Sequence, residues 1–213
     1  VSDRFTFFFS LPFFFPFFFS KKQTETMPSG AYHTSFNEAS DRGQPIYDRN
    51  RRYISNIPLL PIRQTSKFKG PAPAAPADQE DIIDEALRYF KANIMFRTFD
   101  MRGYADRLFV YITLYINACL VKCAHKSKGE ADKILYSYAI ENFAIPGDST
   151  FCLGGLCPAP ANRADADTLR AYLQQVRQET YVRFLDILYA HGDAEPDKWW
   201  MCFSKRKFLN KSL

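Results

Sequence analysis

One stretch of apolar residues constrains the fold more than any other part of this 213-residue chain. From Leu108 to Val121 the sequence is LFVYITLYINACLV, in which only two of fourteen residues are polar. A helix with apolar residues on every side is either buried in a protein core or spans a membrane. Fourteen residues are too few for a span, which needs about 20. The sequence therefore predicts a helix over about 105–124 that other helices surround.

Further segments show the spacing of apolar residues that is typical of helices. One helix is expected to start near Asp78, where acidic residues suit a helix N-terminus, and to end before Gly103. Others are expected over 130–139 and 165–189, and a last helical turn or two after Pro196. Alternation typical of strands is absent from the sequence. These patterns predict an all-α fold, a compact bundle of about five helices with one buried central helix and an extended N-terminal segment.

The chain divides into three parts by composition. Residues 1–26 are predicted to be a spurious or disordered leader, residues 27–77 a flexible and extended N-terminal segment, and residues 78–213 the helical domain. Residues 27–58 combine small polar residues with arginines, which favours a solvated loop. The proline-containing stretches LLPIR at 59–63 and FKGPAP at 68–73 favour extended backbone, because proline disfavours helix at its own position and at the preceding one.

The leader is unusual because phenylalanine dominates it. Its residues from Phe7 to Ser20 are all types that pyrimidine-only codons can encode, so we expect a translated pyrimidine-rich stretch with the native start at Met27. The alternative is a signal peptide or membrane anchor. Against it, the apolar run Phe5–Phe19 contains two prolines, is short of a membrane span and lacks a small-residue cleavage site.

Composition and motifs favour a protein without a cofactor or catalytic centre. The net charge of +5 is too weak to indicate nucleic-acid binding by itself. The three histidines have no neighbouring nucleophile and acid that would suggest a triad, and no phosphate-binding glycine motif is present. An odd number of cysteines indicates reduced thiols. A zinc site is the alternative for four of them, but a helical CxxxC paired with CxxxxC is not a usual ligand pattern: Cys119, Cys123, Cys152 and Cys157.

The segment from Pro196 to Leu213, PDKWWMCFSKRKFLNKSL, carries both tryptophans of the chain. Adjacent indoles near a chain end suggest docking, either of the tail on the core or of the protein on a partner. The basic residues of this segment have three interpretations: a surface for an acidic protein, a surface for nucleic acid or anionic lipid, and a solvated face. They are Lys205, Arg206, Lys207 and Lys211.

An ordered set of segments resembles the family of the 21 kDa subunit, subunit 3, of the actin-related protein 2/3 complex. The segments are LLPIR with FKGPAP, DIIDEALRYFKANIMF at 81–96, ADRLFVYITLYI at 105–116, NFAIPG at 142–147, RAYLQQVRQET at 170–180 and the C-terminal segment. MPSGAYHTSF at 27–36 also resembles the start of the family. Two departures are the leader, which has no family counterpart, and the stretch at about 37–56, which is longer than usual.

The resemblance implies an all-helical, non-catalytic subunit that packs on actin-related protein 3 and helps to build the branch junction on an actin filament. It implies a cytoplasmic location in the actin cytoskeleton, with no cofactor, no nucleic acid and no membrane span. Nucleotide is expected on the actin-related subunits of the assembly and not on this chain. The residues expected at protein interfaces are Phe68, Lys69, Trp199, Trp200, Lys205, Arg206, Lys207 and Lys211.

Overall fold

The computed structural model describes residues 30–37, 51–64 and 68–213, so the leader and most of the 37–56 stretch lie outside the described residues. Five α-helices form the body: α1 (Ile82–Asn93), α2 (Ala105–Lys122), α3 (Lys128–Ile140), α4 (Arg163–Leu188) and α5 (Lys198–Met201). Two short strands precede them, β1 (Tyr53–Ile54) and β2 (Ile57–Pro58). Single 3-10 turns lie at Gly154–Leu156 and Phe208–Asn210. The all-α bundle predicted from the sequence is confirmed.

Helix α2 is the centre of the bundle. Every residue from Leu108 to Asn117 is buried, and α1, α3, α4 and α5 all contact this helix. The buried polar side chain of Thr113 is satisfied locally, because its hydroxyl donates to the carbonyl of Phe109 at 2.9 Å. The apolar run therefore forms the buried central helix that the sequence predicts. No helix in the described part of the chain is both long enough and apolar enough to cross a bilayer.

The described residues between 51 and 62 differ from the solvated loop expected through residue 58. Strands β1 and β2 pair antiparallel through a two-residue turn, in which Ser55 and Asn56 have positive φ angles. The turn places Ile54 and Ile57 in the core. The chain then continues as extended backbone. The hydroxyl of Tyr172 accepts a hydrogen bond from the amide of Leu60 at 2.9 Å and donates one to the carbonyl of Leu60 at 3.2 Å.

Residues 30–37 form a strap across α1 and α2, and buried polar side chains of these helices hold it. Glu85 of α1 is buried and accepts hydrogen bonds from the hydroxyl of Thr34 at 2.5 Å and from the hydroxyl of Ser35. Asp106 on α2 contacts the ring of His33 at 2.9 Å. These two carboxylates can be buried because donors from a distant segment reach them.

Asp81 joins three parts of the chain. It caps α1 by accepting from the backbone amides of Ile83 and Asp84, so the helix begins at Ile82 and not near Asp78. The same carboxylate accepts from the backbone amide of Arg63 at 2.7 Å and from both terminal nitrogens of Arg183 at 2.7 and 2.9 Å. The extended segment, α1 and α4 therefore meet at one buried carboxylate.

Helix α4 buries more polar side chains than its sequence suggests. Its arginines, glutamines and glutamate are mostly buried, because other elements supply their partners. Arg183 pairs with Asp81, and Gln175 accepts from the backbone amide of Ala72 at 2.9 Å. Arg177 donates to the carbonyl of Tyr138 on α3 at 2.5 Å. The polar residues of α4 thus attach the flanking segments to the bundle.

We predict that Asp81→Asn destabilises the fold by about 3 kcal/mol near neutral pH, since it removes the closest counter-charge of the buried Arg183 and leaves only Asp84 at 3.1 Å and Glu179 at 3.9 Å. Burial raises the pKa of Asp81, but hydrogen bonds and charge from Arg183 and the amides of Arg63 and Asp84 outweigh it and hold the pKa below 3.8. The stabilisation is therefore present above pH about 4 and is lost as the pH falls through the lower pKa of the folded state.

Urea denaturation measures the difference in unfolding free energy between the wild type and Asp81→Asn. The measurement is made between pH 2 and 7, about the range that spans the carboxyl titration. The difference in unfolding free energy should narrow toward the acid end. Asp132→Asn, at an exposed position of α3, is the control and should change stability by less than about 0.5 kcal/mol. A constant difference across the pH range would contradict the role of the Asp81 charge.

Candidate protein interface

The segment after α4 is tied to the body at both ends. The amide of Asp197 donates to the carbonyl of Leu188 at 2.9 Å, and the Asp197 carboxylate caps α5 by accepting from the amide of Trp199 at 2.6 Å. Further along, Phe208 is fully buried and packs edge-on against Phe99 at 5.9 Å. The C-terminal segment is therefore a docked part of the fold.

The two adjacent tryptophans have opposite environments. Trp200 is 6% exposed, stacks on Phe90 at 5.4 Å and meets Phe184 edge-on at 5.5 Å. Trp199 is 67% exposed, and its indole has the ammonium group of Lys198 5.4 Å away. Successive residues on a helix point about 100° apart, so one ring faces the core and the other faces solvent. Trp200 anchors the tail, and Trp199 is the indole that a partner can reach.

The basic residues predicted at the interface do not all share one environment. Lys205, Arg206 and Lys207 are exposed and line one cavity of about 780 Å³. Lys211 is also exposed, but its ammonium group donates to the carbonyl of Cys152 at 2.8 Å. Three of the four cations are therefore gathered beside the cavity, and the fourth attaches the end of the chain to the loop before α4.

Phe68 and Lys69 lie beside α3 and α4. The Phe68 ring is half-buried, 6.2 Å from Tyr136 and 6.1 Å from Tyr181, while Lys69 is exposed. Gly70 lets the backbone after Lys69 pass close to α4, since a Cβ atom at this position would lie 2.3 Å from the Gln175 side chain. The structure does not bring this patch into contact with the tryptophans, since Trp200 packs on α1 and α4 and Trp199 is exposed.

Arg177 is the residue of this region that sequence analysis missed. It is 2% exposed and lies at the base of the cavity, with its guanidinium 4.4 to 4.8 Å from the ring centroids of Tyr115, Tyr138 and Phe143. Burial raises the pKa of Tyr138 to about 12 and that of the Cys152 thiol to about 12, so both groups are neutral near pH 7. The base of the cavity therefore keeps its positive charge.

Of the four cysteines considered as alternative zinc ligands, Cys152 is half-buried and the other three lie in the core. Cys119 and Cys123 are buried, and burial raises the pKa of Cys123 to about 12, which disfavours the thiolate that zinc needs. All five cysteines are free thiols. Within residues 30–37, 51–64 and 68–213, no group of three or more histidine, cysteine or acidic side chains is arranged to hold a metal ion.

Comparison with known proteins identifies the family. The family model described as "ARP2/3 complex ARPC3 (21 kDa) subunit" matches residues 27–213. The chain belongs to this family. Proteins with the name actin-related protein 2/3 complex subunit 3 are 49% identical over 182 residues in Dictyostelium discoideum and 43% over 183 residues in Schizosaccharomyces pombe. These matches cover 85% and 86% of this chain and 99% of each relative. The Arabidopsis thaliana protein of that name is 40% identical over 84% of this chain and 97% of its own length.

We predict that replacing each of the two tryptophans of this ARPC3-family chain by alanine has unequal effects on its unfolding free energy. Trp200→Ala removes a large buried ring and should lower the unfolding free energy by about 3–5 kcal/mol. Trp199→Ala should change it by less than about 0.5 kcal/mol, because the ring is exposed. Urea denaturation followed by far-ultraviolet circular dichroism measures both. Equal losses for the two variants would show that the rings are not divided between core and surface.

Proposed function

We propose that this chain is a non-catalytic structural subunit of the actin-related protein 2/3 complex, which supports actin nucleation and branched-filament assembly through protein–protein contacts. Membership of the ARPC3 family carries the proposal, together with relatives of that name that align over nearly their whole length. The fold is consistent with a scaffold, because its buried polar groups are used to hold segments of the chain together.

The observation that best supports a partner-binding surface is the exposure of Trp199. An indole that is 67% exposed on a well-anchored helical turn leaves apolar area that association would cover. Tryptophan is among the residues that most often dominate the binding energy of interfaces. Trp200, which is buried on Phe90 and Phe184, would hold the turn in place and thus position Trp199. The pair therefore supplies both an anchor and a contact.

We propose that the partners of this chain include actin-related protein 3 and the actin filament at the branch. We also propose that the chain acts in the cytoplasm. The basic cavity rim would face an acidic protein surface, and Phe68 with Lys69 would form a second contact patch beside α3. The nucleic-acid and anionic-lipid alternative rests on the same few cations, one of which bonds to the Cys152 carbonyl. Protein contact also accounts for Trp199, since interfaces favour large rings.

Co-purification tests this function. The affinity-tagged wild type should recover two actin-related proteins and the other small subunits in near-equal amounts, as mass spectrometry of the eluate would show. Trp199→Ala should weaken association at least tenfold, by about the energy of an interface hot spot, while leaving the fold intact. Ile187→Ala removes another exposed apolar side chain, on α4, and should behave as the wild type.

Three outcomes would count against the proposal. Recovery of the chain alone, or with nucleic acid or membranes, would contradict the assembly itself. Equal recovery by Trp199→Ala and the wild type would contradict the role of this indole. A parallel loss in Ile187→Ala would show that the assay responds to any exposed apolar truncation.

A further inference from the structure

We propose that Ser35 is a phosphorylation site, and that a phosphate there releases the strap of residues 30–37 from the helical body. The modifying enzyme would be a protein kinase that recognises an acidic residue three positions after its target serine. The hydroxyl oxygen of Ser35 would form a bond to the γ-phosphorus of ATP, whose bond to the β–γ bridging oxygen breaks. ADP leaves, and the hydroxyl proton passes to a base of the kinase. The switch lies within this chain and needs none of the partners proposed above.

Charge in the sequence selects two serines as targets of such a kinase. Of all serines and threonines in the chain, only Ser35 and Ser127 are followed three positions later by an acidic residue. Kinases choose their substrates in part by charge patterns of this kind. Glu130, the acidic residue after Ser127, is already bound to the amide and the hydroxyl of Ser127 in the capping box of α3. Ser127 is therefore the poorer target, which leaves Ser35 with Glu38.

Ser35 combines exposure with a hydroxyl that makes a structural contact. Ser35 is exposed, whereas Thr34 beside it is only 4% exposed. The hydroxyl of Ser35 donates to one oxygen of Glu85, and the hydroxyl of Thr34 donates to the other at 2.5 Å. The backbone amide of Ser35 also donates to the Glu85 carboxylate, at 3.2 and 3.3 Å. Phosphorylation would remove the hydroxyl proton that one of these hydrogen bonds requires.

A phosphate on Ser35 would face buried negative charge. Glu85 is 7% exposed, and in the part of the chain that the structure describes its carboxylate is bound by strap donors and pairs with no lysine or arginine. Asp106, the second carboxylate under the strap, is fully buried. Phosphoserine carries about −1.5 to −2 charges near pH 7, and beside a carboxylate it disrupts structure through repulsion and desolvation. An attractive contact of the strap therefore becomes a repulsive one.

Arg51 is a cation beside the same segment, and it could act against release. Its guanidinium donates to the carbonyl of Phe36 at 2.9 Å. A phosphate that paired with Arg51 would gain a charge-assisted hydrogen bond. Such a pair would leave the repulsion from Glu85 in place, because Ser35 contacts that carboxylate directly. The balance of these contacts therefore favours release.

The strap can open without unfolding the helical body. Of its eight residues only Thr34 is buried. Its other polar contacts are few: His33 meets Asp106 at 2.9 Å, and the backbone of Tyr32 makes two hydrogen bonds with the side chain of Asn93 at 2.8 and 2.9 Å. Segments with few buried contacts open locally at low cost in free energy. Opening would hydrate polar side chains of α1 and α2, which water satisfies.

Hydrogen–deuterium exchange on the purified full chain tests the release. Ser35 is replaced by phosphoserine through an expanded genetic code, and exchange of the amides of residues 32–37 is compared with that of the unmodified chain. Exchange there should be at least about tenfold faster, while Leu108–Asn117 of α2 stays protected. Phosphoserine at Ser137, an exposed position of α3, is the control. It adds the same charge away from the strap and should leave exchange over 32–37 unchanged.

Two further variants identify the cause of release. Glu85→Gln keeps an oxygen acceptor for the strap but removes the negative charge. In this background, phosphoserine at Ser35 should accelerate exchange over 32–37 much less than it does beside Glu85. Ser35→Ala loses the hydrogen bond without gaining charge, so it should accelerate exchange less than phosphoserine does.

Incubation of the wild-type chain with casein kinase 2, which recognises acidic residues after its target, and ATP tests the modification itself. Tandem mass spectrometry should locate phosphate on Ser35, and Ser35→Ala should lose this signal. A synthetic peptide of residues 30–41 measures recognition of the sequence without the fold.

Several results would overturn the proposal. Absence of phosphate from the peptide would show that the sequence is not a target, and phosphate on the peptide alone would show that the fold hides Ser35. Unchanged or slower exchange over 32–37 in the phosphoserine chain would show that the strap is not released, as pairing with Arg51 would produce. An equal effect in the Glu85→Gln background would exclude the Glu85 charge as the cause. Loss of protection in α2 would show general unfolding and not release of the strap.

Discussion

The ion pair between Asp81 and Arg183 is the contact on which the rest of this structure depends. The Asp81 carboxylate accepts a hydrogen bond from the amide of Arg63 in the extended segment, caps α1 and pairs with Arg183 of α4. Three elements that are far apart in the sequence therefore meet at one side chain. A buried pair of this kind costs desolvation and is favourable only when its remaining hydrogen-bonding capacity is used. Here it is used, because the carboxylate also accepts three backbone amides. The position of α4 in turn sets where Phe184 meets Trp200 and where Arg177 meets α3.

Docking on the body fixes the C-terminal segment in place, as a candidate contact surface requires. Trp200 and Phe208 are inserted into the body, and the residues between them form the rim of the cavity. A loose cationic tail would lose conformational entropy on association, whereas a docked tail has already lost it on folding. Trp199 benefits in the same way, because Asp197 caps its helical turn. Candidate contact residues and anchoring residues thus alternate along one short segment.

Much of the fold could be predicted from the sequence, and the misses have identifiable causes. The run Leu108–Val121 is apolar on all sides, so its burial follows from composition alone. The hairpin at Tyr53–Pro58 has strands of two residues, too short to show alternation. The residues next to Glu85 and Arg177 in the sequence do not reveal that the two are buried, and only the tertiary structure brings the strap to one and Tyr138 to the other. Adjacent tryptophans suggested docking but did not show which ring is buried, since the orientation of a short helix near a chain end depends on how it docks. The candidate contact residues could be identified from the sequence. The cavity that Lys205, Arg206 and Lys207 line could not be predicted from it.

We infer that the C-terminal surface of this ARPC3-family chain is covered by partners in an assembly. Hydrogen–deuterium exchange of backbone amides, measured on the free chain and on the purified complex, tests this inference. If partners cover this surface, exchange in the complex should be slower over residues 198–207 and at 68–69, with α2 protected in both states because it is already buried. Unchanged exchange over 198–207, with new protection confined to other surfaces such as that around Met95, would contradict it.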